Sequence, residues 1–216
     1  MATQTKLSVL EETRGGDGDG GNWGEGSRGR FGWDPGAALP VGLTGIWIAM
    51  ASITMFFAAF TSAMVVRAGL GADWTRVALP HILYLNTAIL LASSLTLELS
   101  KHCLKAGRAG QFSGWLFATA GLGIAFLAGQ LDAWRELAAR GVYLARNPAC
   151  SFFYLLTAAH GIHLAGGLLA LFYLVARHRR IAEGAIGGTA LKVTTLYWHF
   201  MDILWLYLFL MLILWV

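Results

Sequence analysis

Residues 194–216, TTLYWHFMDILWLYLFLMLILWV, decide the fold. Apart from Asp202 the stretch carries no fixed charge, and His199 is its one histidine. An α-helix needs about 20 apolar residues to cross the ~30 Å hydrocarbon core of a bilayer. The stretch meets that length, so it predicts a transmembrane helix.

Four further apolar runs precede this one. Of the 216 residues, 56% are hydrophobic and 13% charged, whereas a water-soluble domain carries about 25% charged residues. No alternation typical of strands competes. The sequence therefore predicts an all-α membrane protein, a bundle of five transmembrane helices. The four further runs are 41–66, 79–97, 112–131 and 150–176.

Residues 1–40 have a different composition from the remainder. Residues 15–30 read GGDGDGGNWGEGSRGR, rich in glycine and polar residues and without periodicity. Such a segment buries too little apolar area to offset the entropy lost on ordering. We expect a disordered tail over 1–40, in which a docking arm for a partner is the functional alternative, and a transmembrane domain over 41–216.

The basic residues orient the bundle. The formal net charge is +4, and the basic side chains lie between apolar runs, which is typical of membrane topology and argues against nucleic acid as a partner. With the N-terminus inside, seven basic residues fall in inner loops against five in outer loops, so we expect this orientation. The inner ones are Lys101, Lys105, Arg108, Arg177, Arg179, Arg180 and Lys192.

Two pairs of polar residues fall inside apolar runs, where polar groups are costly and are candidate sites. His160 and His163 share an i, i+3 spacing in the fourth run, and His199 and Asp202 repeat it in the fifth. We expect a structural polar network that holds these two helices together. Imidazoles in one bundle also suit a metal or a haem iron, so that alternative stays open.

Other polar residues lie at the ends of the runs. Asp132 and Glu136, with Arg135 between them, end the third run and predict an interfacial cluster. Cys103 and Cys150 fall on opposite faces of this topology, so we expect no disulfide between them.

Small residues at intervals of four predict close helix contacts. Gly121, Ala125 and Gly129 form such a stripe in the third run, and Gly161 and Ala165 another in the fourth. We expect these stripes to serve helix packing.

The sequence argues against a self-contained enzyme or a transporter. It has no phosphate-binding glycine loop after a strand, no nucleophile beside a base, and no large loop to hold an active site. Transporters are typically built from repeats with helices broken near the midplane. Five helices do not divide into equal halves, and all four prolines fall in the tail or at the starts of runs.

Three motifs, in order, resemble one family. Residues 114–134 read GWLFATAGLGIAFLAGQLDAW, residues 151–167 SFFYLLTAAHGIHLAGG, and residues 192–215 KVTTLYWHFMDILWLYLFLMLILW. Together they resemble cytochrome c oxidase subunit III, over about residues 41–216. The second run is similar more loosely, through Asn86, Thr87, Ser93, Ser94 and Thr96.

The resemblance implies a short, five-helix form of that subunit. It would have no catalytic residue, metal or other cofactor of its own, with haems and copper held by partner subunits I and II, which reduce O₂ to water and pump protons. Cytochrome c or quinol would act on the complex. The chain would stabilise subunit I, support its proton uptake and lie, multi-pass, in the bacterial cytoplasmic membrane.

Phospholipid is a further expected partner. The family's longer members hold it in a cleft, and Arg177, Arg179 and Arg180 are suited to lipid phosphates at the inner face. The same three residues also fit the inside bias of basic residues alone.

Two positions bear on the resemblance. Ile53 stands where the family commonly has a buried Glu, so no role of that carboxylate carries over. Asp132 takes the place of a second family Glu and keeps the charge.

Alternative assignments remain open at this stage. One is a component of a quinol oxidase, a nitric oxide reductase or an alternative complex III supercomplex. Another, of a different class, is a free-standing haem or metal protein that uses His160, His163 and His199.

Overall fold

The computed structural model describes residues 41–70, 74, 79–141, 147–183 and 189–216. The predicted tail over 1–40 lies outside these residues and stays a prediction. Every regular element in the described ranges is an α-helix, and all belong to the compact unit Leu39–Val216. The helices are α1 (Val41–Leu70), α2 (Ile82–Lys105), α3 (Ala109–Ala139), α4 (Pro148–Ala176), α5 (His178–Ala182) and α6 (Thr189–Trp215).

Five of these helices are long and apolar enough to cross a membrane, which confirms the predicted fold class. The short helix α5 follows α4 and has five residues. Because successive long helices cross in opposite directions, the end of α2, the end of α4 and the start of α6 share the membrane face at which α1 begins. We call this face the α1-start face.

Each long helix extends beyond its predicted apolar run at one end or both, although α2 begins three residues after the start of its run. Helix α3 has 31 residues, about 46 Å at 1.5 Å per residue, and so exceeds the ~30 Å core. Its added last turns carry the ion pairs Asp132–Arg135 and Glu136–Arg140. Pairs at these spacings stabilise a helix in water and in the headgroup region, which is why hydrophobicity alone underestimates the length.

Local signals set several helix ends. The side chain of Asn147 accepts a hydrogen bond from the backbone N–H of Cys150 at 3.2 Å, and Pro148 occupies the first position of α4. This is a favourable N-terminal cap. Between α2 and α3 the chain reverses within three residues, where Gly107 has φ 71°, a value that glycine adopts without strain.

Helix α6 lies most centrally, whereas α1 is the most peripheral. In the 18-residue apolar segment of each helix, 44% of the α6 segment is buried inside the chain but only 22% of the α1 segment. Helix α6 packs against α4, α1 and α2, and α2 packs along α3. The side chains of Trp198 and Trp205 on α6 are both fully buried. The functional residues of α6 are therefore held by neighbours on several sides.

Close helix contacts occur at glycines, but only partly at the predicted ones. A Cβ added at Gly129 would lie 2.1 Å from Oδ1 of Asn86, and one at Gly123 would lie 2.9 Å from the ring of Trp198. A Cβ at Gly121 would meet nothing within 4 Å. Within the described residues the predicted close contact is therefore found at Gly129 and not at Gly121, because Gly121 lies on the exposed side of α3 whereas Gly123 lies on its buried side.

Candidate functional site: a polar seam between α2 and α6

Four hydrogen bonds between described residues join α2 to α6, and three of them are 3.0 Å or shorter. The indole N–H of Trp205 donates to Oγ1 of Thr87 at 3.0 Å, and that of Trp198 donates to Oγ of Ser93 at 3.0 Å. Beside Trp198, Nδ1 of His199 lies 2.6 Å from the hydroxyl of Ser94. Together with Glu98 and Asp202, these residues form what we call the α2–α6 seam.

The spacing of the seam follows from helix geometry. Ser93 and Ser94 follow Thr87 by six and seven residues, and their partners Trp198 and His199 precede Trp205 by seven and six, so each interval is about two helical turns. Two antiparallel helices therefore bring both sets of residues into register along one face. The hydroxyls of Thr87 and Ser93 also donate to backbone carbonyls one turn earlier, which leaves their lone pairs free for the indoles.

His199 lies at the more exposed end of the seam, between two carboxylates. Nε2 is 3.5 Å from Oε2 of Glu98, and Nδ1 is 3.9 Å from Oδ2 of Asp202. Lys101 binds the same oxygen of Glu98 at 2.6 Å. The pairing of Glu98 with Lys101 satisfies the i, i+3 rule for helical ion pairs.

Exposure falls steeply through this group. The side chain of Glu98 is 58% exposed, that of His199 37%, and that of Asp202 6%. Neither oxygen of Asp202 has a hydrogen-bond partner among the described residues. The seam therefore leads from an exposed carboxylate to a buried one through a single imidazole.

The α4 histidine pair, His160 and His163, lies elsewhere. His160 is fully buried with its ring 5.0 Å from that of Trp205 and 6.0 Å from that of Phe126, and neither ring nitrogen has a partner in the described part of the chain. Nδ1 of His163 bonds the carbonyl of Ala159, one turn back, at 2.7 Å.

The four predicted network residues thus fall into two places. No hydrogen bond in the described residues joins the α4 pair to His199 or Asp202, because His199 turns toward α2 and His163 toward α1, where its ring lies 5.7 Å from that of Phe57. Contact between α4 and α6 runs instead through Trp205 and through the hydroxyl of Tyr197, which donates to the carbonyl of His163 at 2.9 Å.

The sequence reasoning missed the contribution of α2 to this site. Thr87, Ser93 and Ser94 are noted in the sequence only through a loose family similarity. The matching two-turn spacing on α2 and α6 was the signal that pairs the two helices.

The remaining predicted residues lie at the helix ends. The side chains of Asp132 and Arg135 are 56% and 79% exposed and form an ion pair at 3.0 Å, and Glu136 pairs with Arg140. These contacts form an exposed series, and its interfacial position stays a prediction.

The basic cluster Arg177, Arg179 and Arg180 surrounds the junction of α4 and α5. All three residues are exposed, and the guanidinium of Arg177 lies 5.9 Å from the centre of the Tyr173 ring. The buried side chain of Ile181 anchors α5 beneath them. Their binding of lipid stays a prediction.

The features expected for a metal site do not converge. Among the described residues, no group of three or more His, Cys, Asp or Glu side chains is placed to hold a metal ion. Cys103 and Cys150 are free thiols. Ile53 packs against the hydrophobic core.

Comparison with known proteins identifies the family. The family model for cytochrome c oxidase subunit III matches residues 36–216. A probable cytochrome c oxidase subunit 3 of Nocardia farcinica is 34% identical over 172 residues, 76% of this chain and 82% of that protein. The corresponding protein of Mycobacterium tuberculosis is 33% identical over 168 residues, with the same coverage.

A subunit of a quinol oxidase is also similar. Subunit 3 of the cytochrome bo(3) ubiquinol oxidase of Pseudomonas aeruginosa is 36% identical over 131 residues, 61% of this chain and 62% of that protein. The range matched by the family model, residues 36–216, includes all five long helices described here. The resemblance to this family seen in the sequence is therefore confirmed. The chain belongs to the cytochrome c oxidase subunit III family of haem–copper oxidase subunits.

Proposed function

We propose that this chain is a non-redox accessory subunit of a haem–copper terminal oxidase, which reduces O₂ to water and pumps protons in aerobic respiration. In this role it stabilises subunit I and supports proton uptake by that subunit. The observation that carries the proposal is the family match combined with apolar helix faces that the chain itself leaves uncovered.

The uncovered faces are wide. Ile162 and Leu169 on α4 are 71% and 70% exposed, and at a spacing of seven residues they share one face. Leu95 on α2 and Ile203 on α6 are each 67% exposed. Lipid and a neighbouring membrane subunit are the two surroundings in which such faces are stable, since helix association in a bilayer rests on close packing.

The haems and copper belong to the partner subunits in this proposal. The three histidines of the alternative haem or metal protein face different neighbours: His160 contacts Trp205, His163 contacts Phe57, and His199 bonds Ser94. A bis-histidine site needs two imidazoles aimed at one point. The described geometry therefore favours the accessory subunit over a free-standing haem protein.

A quinol oxidase is the second candidate for the complex. It rests on the similarity to the bo(3) oxidase subunit of Pseudomonas aeruginosa, although that match covers less of the chain than the Nocardia farcinica match. The two candidates differ in the copper-binding partner and the electron donor, not in the proposed role of this chain.

Location and lipid contacts complete the proposal. We place the chain in the bacterial cytoplasmic membrane with the α1-start face inside, as the basic residues indicate. Arg177, Arg179 and Arg180 are exposed at that face, where guanidinium groups bind lipid phosphates.

Purification through a tag on the full chain tests the proposal. In a mild detergent we expect haem absorbance together with a large multi-helix subunit and a second, copper-binding subunit, identified by mass spectrometry. Copper in that second subunit distinguishes a cytochrome c oxidase from a quinol oxidase. A folded chain that elutes alone and without colour would contradict the proposed role.

A matched pair of variants locates the contact face. Ile162→Trp enlarges a side chain on the exposed face of α4, and Leu210→Trp does so on α6, where Leu210 is 52% exposed. Loss of co-purification with one variant and not the other identifies the helix that faces the partner. Equal recovery of partners with both would place these two positions against lipid.

A further inference from the structure

We propose that Glu98, His199, Ser94 and Asp202 form a proton relay that connects the exposed side of the α2–α6 seam with a buried carboxylate. This inference deepens the proton-uptake part of the proposed function, on which its physiological role rests. The relay itself rests only on the residues of this chain.

The two nitrogens of His199 face different partners. Nε2 faces Glu98 at 3.5 Å, whereas Nδ1 faces Ser94 at 2.6 Å and Asp202 at 3.9 Å. A neutral imidazole carries a proton on one nitrogen and accepts one on the other, so it passes a proton across its ring without moving. This arrangement is the geometry of a relay.

The same arrangement does not suit a metal ion. Glu98 and Asp202 approach different nitrogens of the ring and therefore do not converge with it on one point. Accordingly, no metal-binding group of three or more side chains occurs among the described residues. The proton is the ligand that this geometry accepts.

Glu98 defines the entry. Its side chain is 58% exposed, and Lys101 fixes its Oε2 at 2.6 Å, about one turn away on α2. Glu98 sits seven residues before the end of α2, about 10 Å from the α1-start face, so water at that face has short access.

Ser94 and Asp202 define the inner end. The Ser94 hydroxyl lies 2.6 Å from Nδ1 of His199, and Oδ2 of Asp202 lies 3.9 Å from the same nitrogen, so in the relay Ser94 accepts a proton from Nδ1 and gives its own to the carboxylate. Asp202 is 6% exposed, and both its oxygens lack a partner in the described residues. A buried carboxylate in a membrane helix without a cationic partner is a proton acceptor.

Each transfer is balanced. Glu98 takes a proton from water and gives it to Nε2, Nδ1 gives its proton to the Ser94 oxygen, and the Ser94 hydroxyl proton moves to Asp202, with no change in electron count. The ring afterwards returns to its first tautomer by rotation or by the reverse passage.

The groups that face His199 are Glu98 and Ser94 from α2 and Asp202 from α6. No charged side chain of the described parts of α1, α3 or α4 hydrogen-bonds or ion-pairs with it.

Infrared spectroscopy of the full chain, in whichever assembly it purifies, tests the relay. The difference between wild type and Asp202→Asn identifies the carbonyl band of protonated Asp202 as the pH is lowered. Rapid mixing into D₂O then measures how fast that carboxyl exchanges its proton. We expect His199→Phe to slow the exchange about a hundredfold, the lower end of what a positioned acid–base group contributes.

The control is His163→Phe, since the His163 ring is half-buried and its hydrogen bond is to the Ala159 carbonyl of its own helix. Ser94→Ala should slow exchange as His199→Phe does, and His163→Phe should not change it. If His199→Phe fails to fold, His199→Gln keeps a polar group of similar size but no proton-passing ring, and should also exchange slowly.

Two results would overturn the relay. One is equal exchange in the His199 and His163 variants. The other is the absence, at every pH, of a carboxyl band that Asp202→Asn removes. Neither depends on turnover, so a chain found without oxidase partners would refute the proposed function while leaving the exchange measurement valid.

Discussion

The two i, i+3 pairs on α4 and α6 have the same spacing but different surroundings. On α6, His199 and Asp202 face the polar side chains of α2, and His199 has a hydrogen bond to Ser94 at 2.6 Å. On α4, His160 lies among aromatic rings with both nitrogens unpartnered in the described residues. Equal spacing therefore places two polar groups on one face but does not give them equal partners.

A polar side chain in a helix bundle depends on the facing helix for its hydrogen-bond partners. The seam exists because α2 offers hydroxyls at the same two-turn interval at which α6 offers indoles and an imidazole. Helix α4 meets α6 through Trp205 instead, and an indole has one donor, which Thr87 already accepts. His160 is thereby excluded from the seam.

The largest expected effect is at Trp205, which joins the two regions. Its fully buried indole bonds Thr87 on α2 and packs on His160 of α4. We expect Trp205→Ala to lower the free energy of unfolding by about 3–5 kcal/mol, because it leaves a cavity between three helices. Denaturant titration in mixed micelles, with Trp47→Ala at a 56% exposed position as control, measures it. A loss no greater than that of the control would show that the two regions are not joined there.

The next effect concerns the position of α2 beneath the seam. Gly129→Ala would place a methyl group against the buried amide of Asn86, one residue before Thr87. We expect this substitution to lower the free energy of unfolding by about 1–3 kcal/mol. Gly121→Ala on the same helix, with open space around it, is the matched control and should be close to neutral. Equal unfolding midpoints for the two variants would mean that α3 does not fix α2.

A smaller effect compares the two histidines directly. We expect His199→Phe to lower the free energy of unfolding by about 0.6–1.7 kcal/mol, the range of hydrogen bonds between membrane helices. His160→Leu should change stability by less than about 1 kcal/mol, since relief of unpaired ring nitrogens (about 1–3 kcal/mol) offsets lost ring contacts (about 0.5–1.5 kcal/mol). The same denaturant titration ranks the two. If His160→Leu lowers the free energy of unfolding more than His199→Phe does, the ring nitrogens of His160 have hydrogen-bond partners in the assembled protein.

The smallest effect is outside both regions. The Asp132–Arg135 pair is exposed on both side chains, and water screens such a pair. We expect Asp132→Asn to change stability by less than about 0.5 kcal/mol. If this substitution reduces recovery of the assembled complex while leaving the unfolding midpoint unchanged, the end of α3 contacts a partner.

Much of the fold was predictable from hydrophobicity. Residues 194–216 predicted the helix found at Thr189–Trp215, and each of the other four runs likewise corresponds to a long helix. The helix ends were predicted less well. Beyond residue 131, α3 is stabilised by ion pairs at i, i+3 and i, i+4 spacing. The hydrophobicity of the sequence gives no indication of this part of the helix.

The site was predictable only as a set of residues. His199 and Asp202 were identified because polar groups in an apolar run are costly, and that reasoning holds for any bundle. Their partner Ser94 was not identified, because a serine is common in membrane helices and bonds its own backbone as readily as a neighbour. The pairing of α2 with α6 depends on which helices pack together.

Composition and spacing alone predict the five apolar helices, the polar residues that interrupt them and, through three ordered motifs, the family. These properties depend on local composition and spacing, since each membrane helix satisfies its own backbone. Only the tertiary structure decided that His199 faces Ser94 and Glu98 while His160 faces Trp205. The reason is that helix partners in a bundle are set by close packing, as at Gly129 against Asn86, between residues far apart in the chain.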